Sequence, residues 1–139
     1  MNIVYVTQTT STDNVASIGS AELAFDRRNL RIRVYRRLRE CNYSDLDVAP
    51  KSEVDTIRAS RVTNSYRDGE SYEDVTVRTR AMLENFAGEY HRGTVRLIGH
   101  HTQRVAFPHL ADGVPLDGMR SQTIETDWWQ HEWEYRYGD

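Results

Sequence analysis

Two histidines stand together at His100-His101, directly after Gly99 and the apolar run Val95 to Ile98. Imidazole is the side chain whose ordinary pKa lies nearest neutrality, so such a pair is the first place to look for proton traffic or anion binding. A second polar exit, Thr7-Gln8-Thr9-Thr10, follows the apolar run Ile3 to Val6. In open α/β sheets ligands collect at the carboxyl ends of strands, and a turn leading into a helix offers unpaired backbone N–H groups to an anion. Two such exits side by side make an anion pocket, with Gly99 letting the backbone approach the ligand and His100 aimed into the same space. A metal fits poorly. Adjacent His100 and His101 point in different directions, and His109 would add a third ligand without a carboxylate in the same turn. The single cysteine, Cys41, has no Cys or His neighbour at metal-site spacing and can close no internal disulfide. It reads as a small core residue, and no metal or cofactor is expected.

The elements that must position these residues alternate in type. Ile3-Val4-Tyr5-Val6 is a short strand that empties into a polar loop from Thr7 to Asn14. Ala21 to Phe25 suits one or two helical turns. From Arg31 to Leu38 the pattern has a period of two, with Ile32, Val34 and Leu38 on one face and Arg31, Arg33, Tyr35 and Arg37 on the other, which predicts a half-buried strand. Pro50 suits the first residue of a helix running through Val54 and Ile57. Ser71 with Asp74 three residues on resembles a capping box, and Tyr72, Val75, Thr79, Leu83, Phe86 and Tyr90 keep helical spacing until Arg92-Gly93. Val95 to Ile98 is a second buried strand, and Thr102 to Leu110 a helix with Val105, Ala106 and either His109 or Leu110 inward. The tail predicts a last strand in which Trp129, His131, Trp133, Tyr135 and Tyr137 share one face, an aromatic stripe of the kind that packs on a core. Strand and helix alternating in this way favour a parallel or mixed sheet covered by helices.

Composition bounds the function classes. The 139 residues suit a single domain, 1–139, with one hydrophobic core. A net charge of −3 argues against nucleic acid as a partner, since backbone-phosphate binding needs a basic surplus. No apolar run approaches the ~20 residues of a membrane span, and Met1-Asn2-Ile3 does not open a signal peptide, so no membrane association and a cytoplasmic location are expected. Charge is uneven along the chain. Seven arginines crowd between Arg27 and Arg39, at 27, 28, 31, 33, 36, 37 and 39, while Arg120 to Asp139 carries five acids against two arginines. The plain reading is two solvated faces that attract each other, and the alternative is an anion-attracting surface.

Several segments then fall into a familiar order. Val4-Tyr5-Val6-Thr7, Thr10-Ser11-Thr12-Asp13-Asn14, Arg37 to Tyr43, Gly69-Glu70-Ser71-Tyr72 and Leu97-Ile98-Gly99-His100 together resemble the motif series of the histidine phosphatase (phosphoglycerate mutase-like) superfamily. Gly113-Val114-Pro115-Leu116 and Trp133-Glu134-Tyr135 resemble the tail of one bacterial-type branch. The resemblance implies a central, mostly parallel sheet flanked by helices, here lacking part of the first half: Ser20 runs straight into Ala21 to Phe25, which is similar to the end of a helix that follows a longer segment in the family. It also implies a chemistry, in which a histidine after the first strand forms a phosphohistidine, a second histidine and arginines hold the phosphoryl oxygens, and an acid protonates the leaving oxygen. By resemblance His100 is the second histidine and Glu40 the proton donor. Thr7, Asn14 and His101 are expected phosphate contacts, Arg104 an oxygen or structural contact, and Ser71 a helix cap. Gln8 stands where the family has its nucleophilic histidine, and an amide nitrogen with a delocalised lone pair forms no stable phosphoryl intermediate. Losing a nucleophile that acts as part of a unit costs on the order of 10⁶ in rate. The expected ligand is a phosphorylated small molecule or phosphate anion. A sheet edge left open by the shorter chain would favour a homodimer.

Overall fold

The structure, a computed structural model, describes residues 1–7, 19, 21–23, 25, 32–47, 49–116 and 132–138. Three strands form one mixed sheet in the order β2-β1-β3: β1 (Asn2–Thr7) lies parallel to β2 (Thr94–Gly99) and antiparallel to β3 (Glu132–Arg136). The register pairs Ile3 with Val95 on one side and with Tyr135 on the other, so Ile3, Val95, Leu97, Trp133 and Tyr135 share a face. That face meets Met82, Leu83, Phe86 and Phe107 in the main core. The aromatic stripe of the tail is therefore a core face for Trp133, Tyr135 and Tyr137, with Phe107 tilted against Tyr135 at 5.6 Å between ring centres. Trp129 and His131 lie outside the described residues.

Among the elements described from end to end, the helices α1 (Lys51–Ile57), α2 (Tyr72–Tyr90) and α3 (His101–Asp112) accompany the sheet. Helix α1 begins one residue after Pro50, which caps it rather than opening it. Helix α2 starts with the expected capping box, the Asp74 N–H donating to Ser71 Oγ at 3.1 Å and the Ser71 N–H to Asp74 Oδ2 at 2.8 Å. Its predicted inward residues Tyr72, Val75, Thr79, Leu83 and Phe86 are buried, and Thr76 and Met82 join them. Two threonines tolerate this interior because each hydroxyl donates to the carbonyl four residues back, Thr76 to Tyr72 and Thr79 to Val75. Helix α3 ends at Gly113, whose φ of 70° is the left-handed conformation that glycine adopts without a Cβ clash. Ala21, Glu22, Leu23 and Phe25 are helical, in keeping with the turns expected there.

A second cluster, beyond the end of the sheet, gathers Cys41, Tyr43, Val54, Tyr66, Tyr72, Val75 and Val105. Cys41 is the small core residue its sequence context suggested, and burial pushes its thiol pKa up.

One predicted element is overturned. The strand predicted from Arg31 to Leu38 is absent over the described residues 32–38: residues 32–35 carry no strand pairing, and Arg36–Leu38 make a 3-10 turn. The faces are also reversed in part. Ile32 and Val34 are exposed at 40% and 67%, while Tyr35 packs edge-on against Phe86 and Arg33 pairs with Glu89 on α2. A period of two needs a neighbouring strand to become a ladder. Here a groove separates the segment from β2, so its ring and guanidinium groups anchor it to α2 instead.

Candidate active site

The two parallel strands end together, with Thr7 opposite Gly99 in the register, so the strand ends from which the two polar exits leave lie side by side. His100 follows Gly99 as the N-cap of α3, and its imidazole is almost wholly buried at 4% exposure while still lining a cavity of about 730 Å³. Glu40 reaches the same place from a distant part of the chain, its Oε2 3.9 Å from His100 Nδ1. Its other oxygen accepts the Thr102 hydroxyl and the Cys41 N–H, the latter at 2.7 Å.

The charge states follow from this burial. Desolvation, helped by the positive charge of Arg78, lowers His100 to about 4. Burial likewise raises Glu40 above its ordinary value, more strongly than its hydrogen bonds and the charges of Arg78 and Arg58 lower it. Each shift favours the uncharged form, so the contact joins a neutral imidazole to a carboxyl that holds its proton more tightly, and is not an ion pair.

Most of the positioning falls to residues the sequence did not single out. Arg78, nearly two turns inside α2, donates from Nη2 to the carbonyls of Arg39 and Glu40 at 2.9 and 3.1 Å, from Nη1 to that of Arg37, and from Nε to Glu70 at 2.9 Å. Glu70 in turn accepts from Arg39 at 2.7 Å and from the Asn42 N–H at 3.1 Å. The carbonyls of 37, 39 and 40 are thus gathered on one guanidinium, whose planar fork suits several acceptors at once. Gly69 lets this happen: a Cβ there would stand 2.3 Å from the Asn42 carbonyl oxygen, which accepts the Glu70 N–H at 3.0 Å. Fully buried Gln103 forms the second tie, accepting the His100 N–H at 3.0 Å and donating to the Arg39 carbonyl. One amide side chain therefore fixes the β2 exit against the segment that carries Glu40.

His101 lies at the rim, with Arg58 Nη1 3.4 Å from its Nε2. Arg58 brings a cation to the site that spacing gave no reason to expect, because it follows α1 in a 3-10 turn rather than sitting in a motif. Arg104 stacks over Trp133 at 4.6 Å, which makes it a structural contact between α3 and β3. Ser71 is the cap described above. The backbone of Thr7 lies opposite Gly99, and Gln8 and Asn14 lie outside the described residues. Among the described residues no group of three or more His, Cys, Asp or Glu side chains could hold a metal. None of the described helices is long and apolar enough to cross a membrane.

A mixed sheet flanked by helices, whose parallel strands end beside a buried histidine and a carboxyl at the start of a helix, defines an α/β protein with a polar site at the carboxyl ends of its strands. The family model for the histidine phosphatase superfamily (branch 1) matches residues 6–134, and the chain belongs to that superfamily. Its fold is similar to that of Bacillus stearothermophilus YhfR, at a TM-score of 0.65 and 20% identity. That alignment covers 96% of this chain and 63% of YhfR, so the chain spans just under two thirds of that protein's length. A search of curated proteins found no match.

Proposed function

We propose that the chain binds phosphomonoesters or phosphate at the β2 exit and turns them over slowly or not at all. The observation that carries this reading is the meeting of Glu40 and His100, 60 positions apart, in a buried setting that lowers His100 to about 4 and raises Glu40 above its ordinary value. A neutral imidazole donates one hydrogen bond to a phosphoryl oxygen and accepts another. A carboxyl with a raised pKa is suited to protonating a leaving oxygen near neutral pH. Arg58 and His101 add positive charge and a polar group at the rim, and the first turn of α3 adds backbone N–H groups.

The weak point is the nucleophile. Gln8 occupies that position by family resemblance, and removing such a group costs on the order of 10⁶ in rate. A second reading therefore drops turnover and keeps only the anion site of a binding module. A cytoplasmic setting fits a chain whose only cysteine is a buried thiol.

Hydrolysis of a chromogenic phosphomonoester by the purified chain, beside His100→Ala and Gln8→His, separates these readings. Slow wild-type turnover that His100→Ala abolishes supports the enzyme. No wild-type turnover together with a rise in melting temperature in millimolar phosphate or vanadate supports the binding module. Neither turnover nor a thermal shift would refute the phosphate site altogether.

A further inference from the structure

The sheet is finished differently on its two sides. On one, β1 is covered by β3; on the other, β2 has no partner strand among the described residues. A cavity of about 730 Å³ runs along that side, lined by Thr94 to Ile98 and His100 on one wall and by residues 32–36, Leu38 and Arg39 on the other, with Ala21, Phe25, Phe86 and Tyr90 completing it. It runs beside five of the six residues of β2, about 17 Å of extended chain. An unpaired edge presents a row of N–H and C=O groups that an added strand satisfies. The facing wall supplies the apolar floor such a strand needs, with Tyr35, Leu38 and Phe86 beside Val95 and Leu97.

The charge of the groove selects the occupant. Its described lining includes Arg33, Arg36, Arg39 and Arg96 and no aspartate or glutamate. Three of these already meet carboxylates outside the lining, Glu89, Glu70 and Glu132. The pairs to Glu89 and Glu132 are half exposed, and exchanging such surface partners costs little.

We propose that this groove accepts an extended, acidic polypeptide segment from another protein, which adds to the sheet as a strand beside β2 and sets its carboxylates against the arginines. This goes beyond the phosphate site and does not depend on it, although His100 closes one end of the groove.

The test uses fluorescence anisotropy of labelled eight-residue peptides with the full chain: one alternating valine and glutamate, one alternating valine and lysine, and the acidic peptide with a central proline. The acidic peptide should bind saturably, about tenfold or more tighter than the lysine peptide, and weaken with added salt. Central proline, which removes a ladder donor, should weaken it about tenfold. In the double variant R36E/R96E, at two exposed positions, the preference for the acidic over the lysine peptide should disappear, with an unchanged circular dichroism spectrum. Equal binding of the two peptides, or indifference to proline, would overturn the proposal. A concentration-dependent dimer in light scattering that excludes the acidic peptide would also overturn it, by giving the groove to a second copy of this chain. Phosphate binding measured on the same samples reports separately on the anion site.

Discussion

Residues 37–42 and residues 32–36 are consecutive, yet the fold treats them in opposite ways. The first stretch is held by buried groups: one guanidinium gathers three of its carbonyls, Glu70 anchors it from the side, and Gln103 ties it to the β2 exit. The second is held by an edge-on ring contact between Tyr35 and Phe86 and a half-exposed pair between Arg33 and Glu89, with Val34 in solvent. The contrast separates contacts that fix a position from contacts that merely accompany it. A buried polar group without its partner pays the desolvation cost in full, so a satisfied network has no cheap alternative. A surface pair exchanges its partner for water at little cost.

The comparison breaks most visibly at Arg78. Arg78→Ala should cost about 3 kcal/mol in urea unfolding, because Glu70 and three carbonyls lose a common partner in a site only 11% and 15% exposed at the two side chains. Phosphate or vanadate binding should fall with it, since Glu40 would no longer be held against His100.

Acid unfolding sharpens the same point. An unfolded histidine takes up a proton near its ordinary 6.5, whereas folded His100 refuses it until about 4. Its contribution is therefore fully present above 6.5 and is lost as the pH falls toward 4, an effect of about 3 kcal/mol across that window. In His100→Gln this part of the acid slope should disappear from stability measured against pH. Glu40 acts with the opposite sign. Its raised value gives stability that is present below 4.5 and lost as the pH rises through the folded value, so Glu40→Gln should remove a loss on the alkaline side.

Gln103→Leu keeps volume but leaves the His100 N–H and the Arg39 carbonyl unpaired. It should lower stability by about 2 kcal/mol in the same urea assay. At the small end, Arg33→Ala should leave the urea midpoint unchanged, because its pair with Glu89 lies in solvent. A marked loss at Arg33 would show that residues 32–36 are fixed as firmly as 37–42 and would erase the contrast.

What the sequence determined by itself was local. Ser71 and Asp74 specify a helix start three residues apart, and the spacing from Tyr72 to Tyr90 specifies which side of that helix is inward. Val95 to Ile98 followed by Gly-His specifies a strand that ends in a polar turn, and the ordered motifs specify the family. These follow from periodicity and capping, which act within a few residues. The alternation from Arg31 to Leu38 was equally regular and misled, because a strand exists only where another backbone lies beside it. The family resemblance had already set Glu40 and His100 at one site; the tertiary structure alone decided that Arg78, Glu70 and Gln103 bind the two together and that Arg58 stands beside His101. Their partners are up to 64 residues away in the chain, and no local pattern marks a glutamine or an arginine for a bond formed only when distant segments pack.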